Sequence, residues 1–413
     1  MKLRQKLFSL LILLSPIQLG RHFWPKSSFL LGMRIDYLSP TIYLTDLLII
    51  AVLLLWLKEK WTERKFKKIF FADWKKGAVF IIGFVFLLIN CFWAKNRPAA
   101  FYKLAKICEF FFLGCYLVKE KITLKQISPV LTLAVVFSSL IGLGQFLRQS
   151  SLNGIFWWFG ERTFSLTTPG IARAIWRDHY FLRPYATFSH PNSLAGFLLV
   201  SLVMIPPFLK NQKYFFPALF LILITLILTF SRTVWLAGII VLLISVLRIL
   251  VKKQIAFKKI IILAGLFSLS SFLLASFFLK IMPPFFWEEE SFLRRQNLVF
   301  LTLKIICQSP FSGVGLNNYL PALSVLISQN ENVYWLQPVH NIFLLIAGET
   351  GLIGLFITAL LLKNFLEKRK NNYFLFLAFL IVLLTGTTDH YWLTLQQNQI
   401  LLTLLIGLSL SSD

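Results

Sequence analysis

The feature that most constrains this chain is a series of long apolar segments that recurs from its beginning to its end. Each segment is roughly long enough to cross the hydrocarbon core of a bilayer as a helix. Hydrophobic residues make up 57% of the sequence, which is far from the profile of a soluble globular domain. We therefore predict an all-α membrane protein that crosses the bilayer many times.

Twelve segments are candidates for membrane-spanning helices. They are residues 6–20, 39–57, 77–93, 99–118, 127–147, 193–209, 215–230, 234–251, 260–280, 340–362, 373–388 and 397–411. No soluble domain of ordinary size fits between them, so residues 1–413 are predicted to form a single polytopic domain. Two connections, 148–192 and 281–339, are long enough to suggest function or disorder. The tryptophans in these connections argue against disorder and suggest that the connections lie on the membrane or cover a cavity.

The basic residues indicate how the segments are oriented. The net charge is +25, but the cations lie in short clusters between apolar runs, which argues against a nucleic-acid partner. With the N-terminus placed in the cytoplasm, 25 of the 42 Lys and Arg residues fall in the inner connections, as the positive-inside rule requires. Such clusters face anionic membrane lipid. Both termini are then predicted to be cytoplasmic.

The type of cation separates the two sides more sharply. The inner connections contain 21 lysines and four arginines, whereas the outer connections contain 11 arginines and four lysines. All five histidines are also on the predicted outer side. Because the guanidinium fork matches phosphate and carboxylate oxygens, we expect the chemistry of this protein on the outer side.

His340 marks the point where a polar loop enters the tenth span. Three glycines follow at every third position of that span: Gly348, Gly351 and Gly354. They leave a low ridge that a neighbouring helix can approach, and helical periodicity places Gly351 and Gly354 near the face of His340. Glu349 falls on the opposite face and deeper. The alternative reading is an interfacial histidine that only caps a helix.

Two other spans begin at the outer side with polar groups. Arg183 and His190 precede the sixth span, and Arg232 opens the eighth. Ser189 and Ser231 are the expected N-caps. Each such helix end presents free N–H groups and a partial positive charge, which suits an anion. Arg232 lies so close to hydrocarbon that it should face a polar cavity, although a snorkelling interfacial cation is the alternative.

The large outer connection carries a second cationic position. Residues 291–307 are predicted to form a short helix at the outer surface, with Arg294 and Arg295 near its start. The alternative for Arg295 is a solvated cation paired with the acidic run Glu288–Glu290. Residues 313–315 (Gly-Val-Gly) predict a tight turn, since no strand precedes them as a dinucleotide site would need.

The remaining motifs are less specific. The four cysteines form no disulfide framework, and no His, Cys, Asp and Glu cluster has convincing metal-ligand spacing. The sequence Asp389-His390-Tyr391-Trp392 closes the eleventh span. It is either an outer anchor or the wall of a cavity.

These residues also carry a resemblance. The matching positions are Thr187–Ala195, Ser231-Arg232, Arg295 followed by Pro310–Tyr319, and His340-Asn341 with Glu349 and Gly351–Gly354. In this order and spacing, from about residue 130 to the end, the sequence resembles the O-antigen ligase and polymerase family. It departs at Val299, where such proteins often carry tryptophan.

The resemblance implies a metal-independent, inverting glycosyltransferase without a cofactor. Its donor would be a polyprenyl-pyrophosphate-linked glycan, used at the outer face of the bacterial cytoplasmic membrane. Arg232 and Arg295 match the arginines that engage the pyrophosphate, and His340 matches the essential histidine. The motifs do not separate ligase, polymerase and protein-glycosylating members.

The residues and the resemblance together predict a mechanism. Arg232 and Arg295 hold the pyrophosphate, and His340 activates the hydroxyl of a glycan, lipid or protein acceptor, with Arg183, His190, Arg294 and Glu349 as supporting residues. A transporter or flippase for lipid-linked sugars is the alternative, because it would hold phosphate in the same way without needing a base. That alternative predicts polar residues that continue across the middle of the membrane.

Overall fold

Helices dominate the computed structural model, which describes residues 3–63, 74–176, 179–205, 212–252, 289–327, 336–368 and 372–411. The ninth predicted span, residues 260–280, lies outside the described residues, as does Glu288. The helices are α1 (Leu3–Leu13), α2 (Leu44–Thr62), α3 (Trp74–Trp93), α4 (Arg97–Lys119), α5 (Leu124–Arg148), α6 (Pro191–Met204), α7 (Gln212–Leu228), α8 (Arg232–Lys252), α9 (Glu289–Gln308), α10 (Tyr319–Ile327), α11 (Ile342–Lys368), α12 (Tyr373–Gly386), α13 (Tyr391–Thr394) and α14 (Gln396–Ser411).

Within the described ranges, three helices are long and apolar enough to cross a membrane. These stretches are Leu124–Arg148, Arg232–Val251 and Ile342–Lys363. Four shorter apolar stretches accompany them: Val79–Trp93, Pro191–Met204, Phe216–Leu228 and Tyr373–Gly386. The mostly helical fold is therefore confirmed, whereas the number of twelve spans and the cytoplasmic termini remain predictions.

The first predicted span, 6–20, is wrong in its extent. Helix α1 ends at Leu13, and the chain turns before Pro16, which has no N–H to continue a helix. Residues 14–43 instead contain two short antiparallel strand pairs. They are β1 (Gly20–His22) with β4 (Thr41–Tyr43) and β2 (Phe29–Leu30) with β3 (Met33–Arg34). A third pair in the 148–192 connection joins β5 (Arg173–Trp176) to β6 (His179–Leu182). These pairs are the exceptions to the all-α prediction.

Helix α6 occupies the centre of the bundle. Nearly all of its residues are buried, since α5, α7, α8, α12 and α14 pack around it. Gly196 makes part of this packing possible, because a Cβ there would lie 2.4 Å from the Tyr391 hydroxyl. A helix surrounded on all sides is fixed in position, so its N-terminal residues are held firmly at one end of the bundle.

Several connections meet at that end, which we call the site end. They are residues 14–43, 94–96, 148–190, 309–318, 339–341 and 387–395. Asn96 Nδ2 donates to Ser27 O at 2.6 Å, and Gln18 Nε2 donates to Ser189 Oγ at 2.9 Å. Hydrogen bonds between connections distant in sequence therefore join them into one layer.

Helix α11 is interrupted at Gly351. This residue has φ +66° and ψ −170°, a conformation that glycine adopts without strain. A Cβ at this position would lie 2.2 Å from Phe311 O. The predicted continuous helix face shared by His340, Gly351 and Gly354 is therefore wrong. The glycines do permit close approach, but the neighbour of Gly351 is the 309–315 turn and not another helix.

The 309–315 turn fills this helix break. Val314 N donates to Gly348 O, and Gly315 N donates to Glu349 O, both at 3.0 Å. In return, Leu352 N donates to Pro310 O at 2.8 Å. The exchange satisfies backbone groups that the break would otherwise leave unpaired in an apolar setting. The turn itself lies at residues 310–312, just before the predicted 313–315, where Gly313 N donates to Ser309 O at 3.0 Å. The segment that follows fastens α9 to α11.

Candidate active site

His340 lies just before α11. Asn341 caps this helix, because its Oδ1 accepts hydrogen bonds from Phe343 N at 2.9 Å and Leu344 N at 3.0 Å. Asn341 Nδ2 also donates to Thr387 O at 3.1 Å, which ties the helix start to the turn after α12. His340 thus lies at the positive end of the helix dipole, but it precedes the helix and does not belong to its packed face.

Asp389 is the carboxylate closest to His340. The distance from His340 Nδ1 to Asp389 Oδ1 is 3.6 Å, and the two side chains are 20% and 8% exposed. Asp389 Oδ1 also accepts from His390 N at 2.8 Å, and Oδ2 accepts from Asn192 Nδ2 at 3.0 Å. Burial alone would raise the pKa of Asp389, but the contact with His340 and the charges of His340, His390 and His190 lower that pKa well below its usual value.

This arrangement orients the imidazole of His340. The separation of 3.6 Å exceeds a hydrogen bond, as is common for catalytic contacts without substrate, and a small ring movement closes it. An ionised Asp389 favours the tautomer that carries its proton on Nδ1. The Nε2 lone pair of His340 is then available to accept a proton.

Arg183 is connected to this pair through Asn192. Its Nη2 donates to Asn192 Oδ1 at 2.7 Å, and its Nε donates to Thr229 O at 2.6 Å, beside the start of α8. Burial and the positive charges of Arg232 and Arg295 lower the pKa of Arg183 to about 10. Arg183 therefore lies within the electrostatic field of both Arg232 and Arg295.

Arg232 and Arg295 reach this region from different helices. Arg232 is the first residue of α8 and is exposed, whereas Arg295 lies in the first half of α9 and is half-buried. The helix predicted over 291–307 is confirmed. Arg295 lowers the pKa of His390 as well as that of Arg183, which favours Arg295 over the adjacent Arg294 as the arginine directed at the histidines.

His390 is buried beside His340, with 5.2 Å between the ring centroids. Its Nδ1 is 2.8 Å from Thr394 Oγ1, and that hydroxyl donates to His390 O at 3.1 Å. Because this hydroxyl uses its hydrogen for His390 O, it accepts a hydrogen bond from His390 Nδ1, and this nitrogen therefore carries the ring proton. Burial and the charges of His340 and Arg295 lower the pKa of His390 to about 4, so the ring is neutral at pH 7.

His190 provides the N-cap of α6, since its Nδ1 accepts a hydrogen bond from Asn192 N at 3.1 Å. The predicted Ser189 cap is wrong, because that hydroxyl bonds to Gln18 instead. His190 is exposed at the N-terminus of α6. Nor does Ser231 cap α8 with its side chain: the buried hydroxyl has no hydrogen-bond partner among the described residues.

Glu349 lies at a different place. Its carboxylate faces the backbone N–H groups of Asn317 and Tyr319, at the start of α10, and the ammonium group of Lys103. Lys103 in turn donates to Leu393 O, three residues after His390. Glu349 therefore supports the site through Lys103 and makes no direct contact with the histidines among the contacts described.

The residues His340, Asp389 and His390 also satisfy the geometry of a cation site. One ligand atom from each lies within 4.8 Å of the others. Both Asp389 oxygens already accept hydrogen bonds, however, and Arg295 lies close enough to lower the pKa of His390. Positive charge at this position disfavours a divalent ion and favours an anion.

Sequence reasoning missed three members of this cluster: Asp389, His390 and Asn192. The Asp-His pair at the end of the eleventh span was the available signal, and the structure places both residues beside His340. Their proximity to His340 depends on tertiary packing between α6, α11 and α12, which sequence spacing does not reveal.

Comparison with known families gives an independent result. Residues 217–359 match the family model described as O-antigen ligase. The matched region includes Arg232, Arg295 and His340, but it does not include Arg183 or Asp389. No curated protein matches the chain. The family resemblance seen in the sequence is thereby confirmed over residues 217–359.

Proposed function

We propose that this protein transfers a glycan from a polyprenyl-pyrophosphate carrier to a hydroxyl group at the outer face of the bacterial cytoplasmic membrane. The family match supports an O-antigen ligase-type role in polysaccharide biosynthesis and an integral membrane protein. The carrier, the inverting course of the reaction and the side of the membrane are our proposals.

The observation that carries the proposal is the combination of three arginines with an oriented histidine. Arg232 and Arg295 both act electrostatically on Arg183, and Asn192 connects Arg183 to Asp389, which faces His340 Nδ1 at 3.6 Å. Guanidinium groups bind pyrophosphate oxygens, and the N-terminus of α8 adds a partial positive charge. The buried hydroxyl of Ser231, which has no hydrogen-bond partner in the described part of the chain, offers a further donor at the same helix end.

The reaction follows from these positions. His340 Nε2 accepts the proton of the acceptor hydroxyl while the hydroxyl oxygen attacks the anomeric carbon. The bond from that carbon to the pyrophosphate oxygen breaks on the opposite face, and the arginines stabilise the charge that develops on the leaving group. Asp389 stabilises the imidazolium that forms. Attack from the opposite face inverts the anomeric configuration.

The decisive experiment measures glycan transfer by the purified protein in nanodiscs, with extracted polyprenyl-pyrophosphate-linked glycan as donor. His340→Ala should reduce turnover by roughly 10²–10⁴, the usual contribution of a general base. His179→Ala is the matched control, because His179 is an exposed histidine of the same layer of connections. Wild-type turnover by a folded His340→Ala protein would remove His340 from the mechanism.

One observation bears on the transporter alternative. Lys106 Nζ lies 2.6 Å from Asp46 Oδ1 and 2.9 Å from Glu109 Oε2, inside the packing of α2 and α4. Lys106 is paired with both carboxylates, as expected of a structural network and not of a path for phosphate. Vesicles containing the protein test the alternative: translocation of lipid-linked glycan without transfer to an acceptor would support a flippase.

A further inference from the structure

One apolar surface at the site end has no part in the proposed transfer chemistry. Residues 154–159 (Gly-Ile-Phe-Trp-Trp-Phe) form a short 3₁₀ helix in the 148–190 connection, which we call the apolar turn. It contains no charged residue, and the side chains of Ile155, Trp157 and Trp158 are each more than half exposed. Large apolar side chains that are exposed together mark a surface that something covers. The apolar turn lies outside the family match at 217–359.

The apolar turn is held in a fixed conformation by Glu161, which is buried. Its Oε1 accepts a hydrogen bond from Leu152 N at 2.7 Å, and its Oε2 accepts one from Asn153 N at 2.8 Å. Glu161 N donates to Phe156 O at 3.1 Å and so closes the turn. The exposed side chains therefore belong to a hydrogen-bonded structure and not to an irregular loop.

The apolar turn lies against the side of α5 and not beyond its end. The ring of Phe159 contacts that of Phe137 edge to face, with 5.3 Å between centroids and 75° between planes. Phe137 precedes the last residue of α5, Arg148, by about three helical turns, or roughly 16 Å. The helix has 25 residues and exceeds the hydrocarbon core of a bilayer by only about 8 Å. The contact with Phe137 is therefore at the depth of the bilayer.

Lipid-facing residues of α5 adjoin the apolar turn. Leu133, Leu140 and Leu147 are exposed and recur every seven residues, so they form one stripe along a helix that is long and apolar enough to cross a membrane. Phe137 is four residues from Leu133 and three from Leu140, positions that are neighbours on a helix surface. In an integral membrane protein, lipid covers such a stripe. The apolar turn is therefore continuous with a surface that faces lipid.

Exposed arginines flank the apolar turn on both sides. Arg148 precedes it and Arg162 follows it, and both are exposed, whereas Glu161 is buried. Arg148 Nη1 donates to Leu152 O at 2.9 Å, and Arg162 Nη2 donates to Ser189 O at 2.6 Å. Tryptophan is enriched at the boundary between membrane and water, and guanidinium groups bind phosphate oxygens. The combination fits the headgroup region of a lipid leaflet.

We propose that the apolar turn is a membrane anchor. It inserts Ile155, Trp157 and Trp158 into the lipid leaflet at the site end, with Arg148 and Arg162 at the level of the lipid phosphates. Its occupant is bilayer lipid, and it is not a cover over the active site. The anchor goes beyond the proposed function, because it requires only that the protein spans a membrane.

The buried side chain of Gln145 connects the anchor to the candidate active site. Its Nε2 donates to Glu161 Oε1 at 2.7 Å, and its Oε1 accepts from Tyr185 N at 3.0 Å and from Ala186 N at 2.7 Å. These hydrogen bonds fix the apolar turn relative to the segment that carries Arg183. If this segment binds the donor pyrophosphate, as the proposed function states, the anchor sets its depth to that of the lipid phosphates.

Spin labelling in nanodiscs measures the depth of the apolar turn. A nitroxide is attached to Ile155→Cys in a protein whose four native cysteines are replaced by alanine, and a thermal melt verifies that this protein is folded. Power saturation compares collisions with O₂, which concentrates in lipid, and with a water-soluble nickel chelate. The label should lie about 5–10 Å into the boundary between headgroups and acyl chains, the usual insertion of an interfacial element.

Two matched positions calibrate the measurement. A label on Leu140→Cys, in the exposed stripe of α5, should collide mainly with O₂. A label on Thr167→Cys, an exposed position of the same connection, should collide mainly with the nickel chelate. A label at Ile155 that behaves like the one at Thr167 would place the apolar turn in water and overturn the anchor. A label at Ile155 that neither reagent reaches would mean that protein covers the turn, which would also overturn it.

A second measurement keeps the native cysteines. Tryptophan emission is compared between the wild type and the Trp157→Phe, Trp158→Phe double variant, in nanodiscs with and without bromine on the acyl chains. The emission that the two substitutions remove should be quenched by the brominated lipid, and unquenched emission would contradict the anchor.

Neither measurement needs donor or acceptor, so the anchor and the proposed function fail separately. An inserted turn in a protein that transfers nothing leaves the anchor standing and removes the transferase proposal. A turn in water in a protein that transfers glycan does the reverse.

Discussion

The two ends of this helix bundle both concentrate charged side chains, but they treat charge differently. At the opposite end, the arginine of α1 is enclosed by acids: Arg4 Nη2 lies 3.0 Å from Glu59 Oε2 and 2.9 Å from Glu120 Oε2. Lys60 Nζ adds a contact to Glu120 Oε1 at 3.0 Å. At the site end, burial and the positive charges of Arg232 and Arg295 instead lower the pKa of the third arginine, Arg183.

This difference separates a structural cluster from a binding site. Paired charges on neighbouring elements hold those elements together and leave no net field. Like charges gathered beside a single oriented carboxylate leave a positive field that an anion can neutralise. Position at a helix end is common to both clusters, so it is the balance of charge that distinguishes the candidate active site.

The largest expected effect is the loss of turnover when an arginine of the site end is removed. Arg232→Ala and Arg295→Ala should each reduce turnover by about 10²–10³, because the charge on the leaving group loses one fixed donor. The melting temperature should stay the same or rise, since each substitution removes one of several like charges. Turnover assays in nanodiscs, paired with thermal melts, measure both quantities. Loss of activity that merely follows loss of folded protein would count against a role in transfer.

Asp389→Asn tests the orientation of the base. The substitution keeps the size of the side chain and its hydrogen bond to the His390 backbone, but it removes the charge that faces His340 Nδ1. We expect turnover to fall by roughly 10²-fold, as for misplacement of a reacting group. Wild-type turnover by a folded Asp389→Asn protein would show that Asp389 does not act on His340.

The sequence predicted the helices well and the site in part. Apolar length sets where each helix runs, so α3, α4, α5 and α14 lie close to their predicted bounds. The error at residues 6–20 arose because apolar content alone does not show that Pro16 ends the helix. Likewise, the spacing of the glycines in the tenth span could not show that Gly351 breaks the helix to receive a turn from residues 309–315.

The arginines and His340 were identifiable because their types and positions are unusual for a membrane protein. Asp389 and Asn192 were not, since each acts only through a contact between helices far apart in the sequence. The choice of Ser189 as a cap followed general N-cap preference, which does not anticipate a histidine ring accepting the same hydrogen bond. Tertiary packing decided these positions.

The paired cluster of the opposite end should control stability and not turnover. Arg4 is only 6% exposed, and Arg4→Met would leave Glu59 and Glu120 without their shared partner. Breaking a buried pair in this way costs about 3 kcal/mol or more. The melting temperature should fall, while turnover per folded molecule stays at the wild-type level. A specific loss of turnover would mean that the two ends are coupled.

Acidification should change the free energy of unfolding through groups at both ends, and this is a smaller effect than the substitutions above. His390 has a pKa of about 4 in the folded protein, below its ordinary value of 6.5, so unfolding takes up a proton between these two pH values. Stability is therefore retained above about pH 6.5 and decreases as the pH falls toward 4, by at most about 1.4 kcal/mol per pH unit for this group. At the opposite end, the pKa of Glu120 is also lowered. Burial alone would raise this pKa, but the hydrogen bonds from Lys60, Arg4 and Trp56 outweigh burial. The stabilisation that Glu120 provides is therefore lost as the pH falls through this lowered pKa.

Thermal melts of the wild-type protein and of His390→Gln across pH 4 to 7 measure this effect. Glutamine keeps a polar side chain but cannot gain a proton, so the variant should lose less stability on acidification than the wild type does. His179→Gln, at an exposed position, should retain the wild-type slope. If the wild-type and His390→Gln slopes agree, the pKa of His390 is the same in the folded and unfolded states, and His390 becomes protonated in the folded protein below about pH 6.5. The site end would then gain a positive charge on mild acidification, which would strengthen anion binding there and make His390 a further cationic contact for the pyrophosphate.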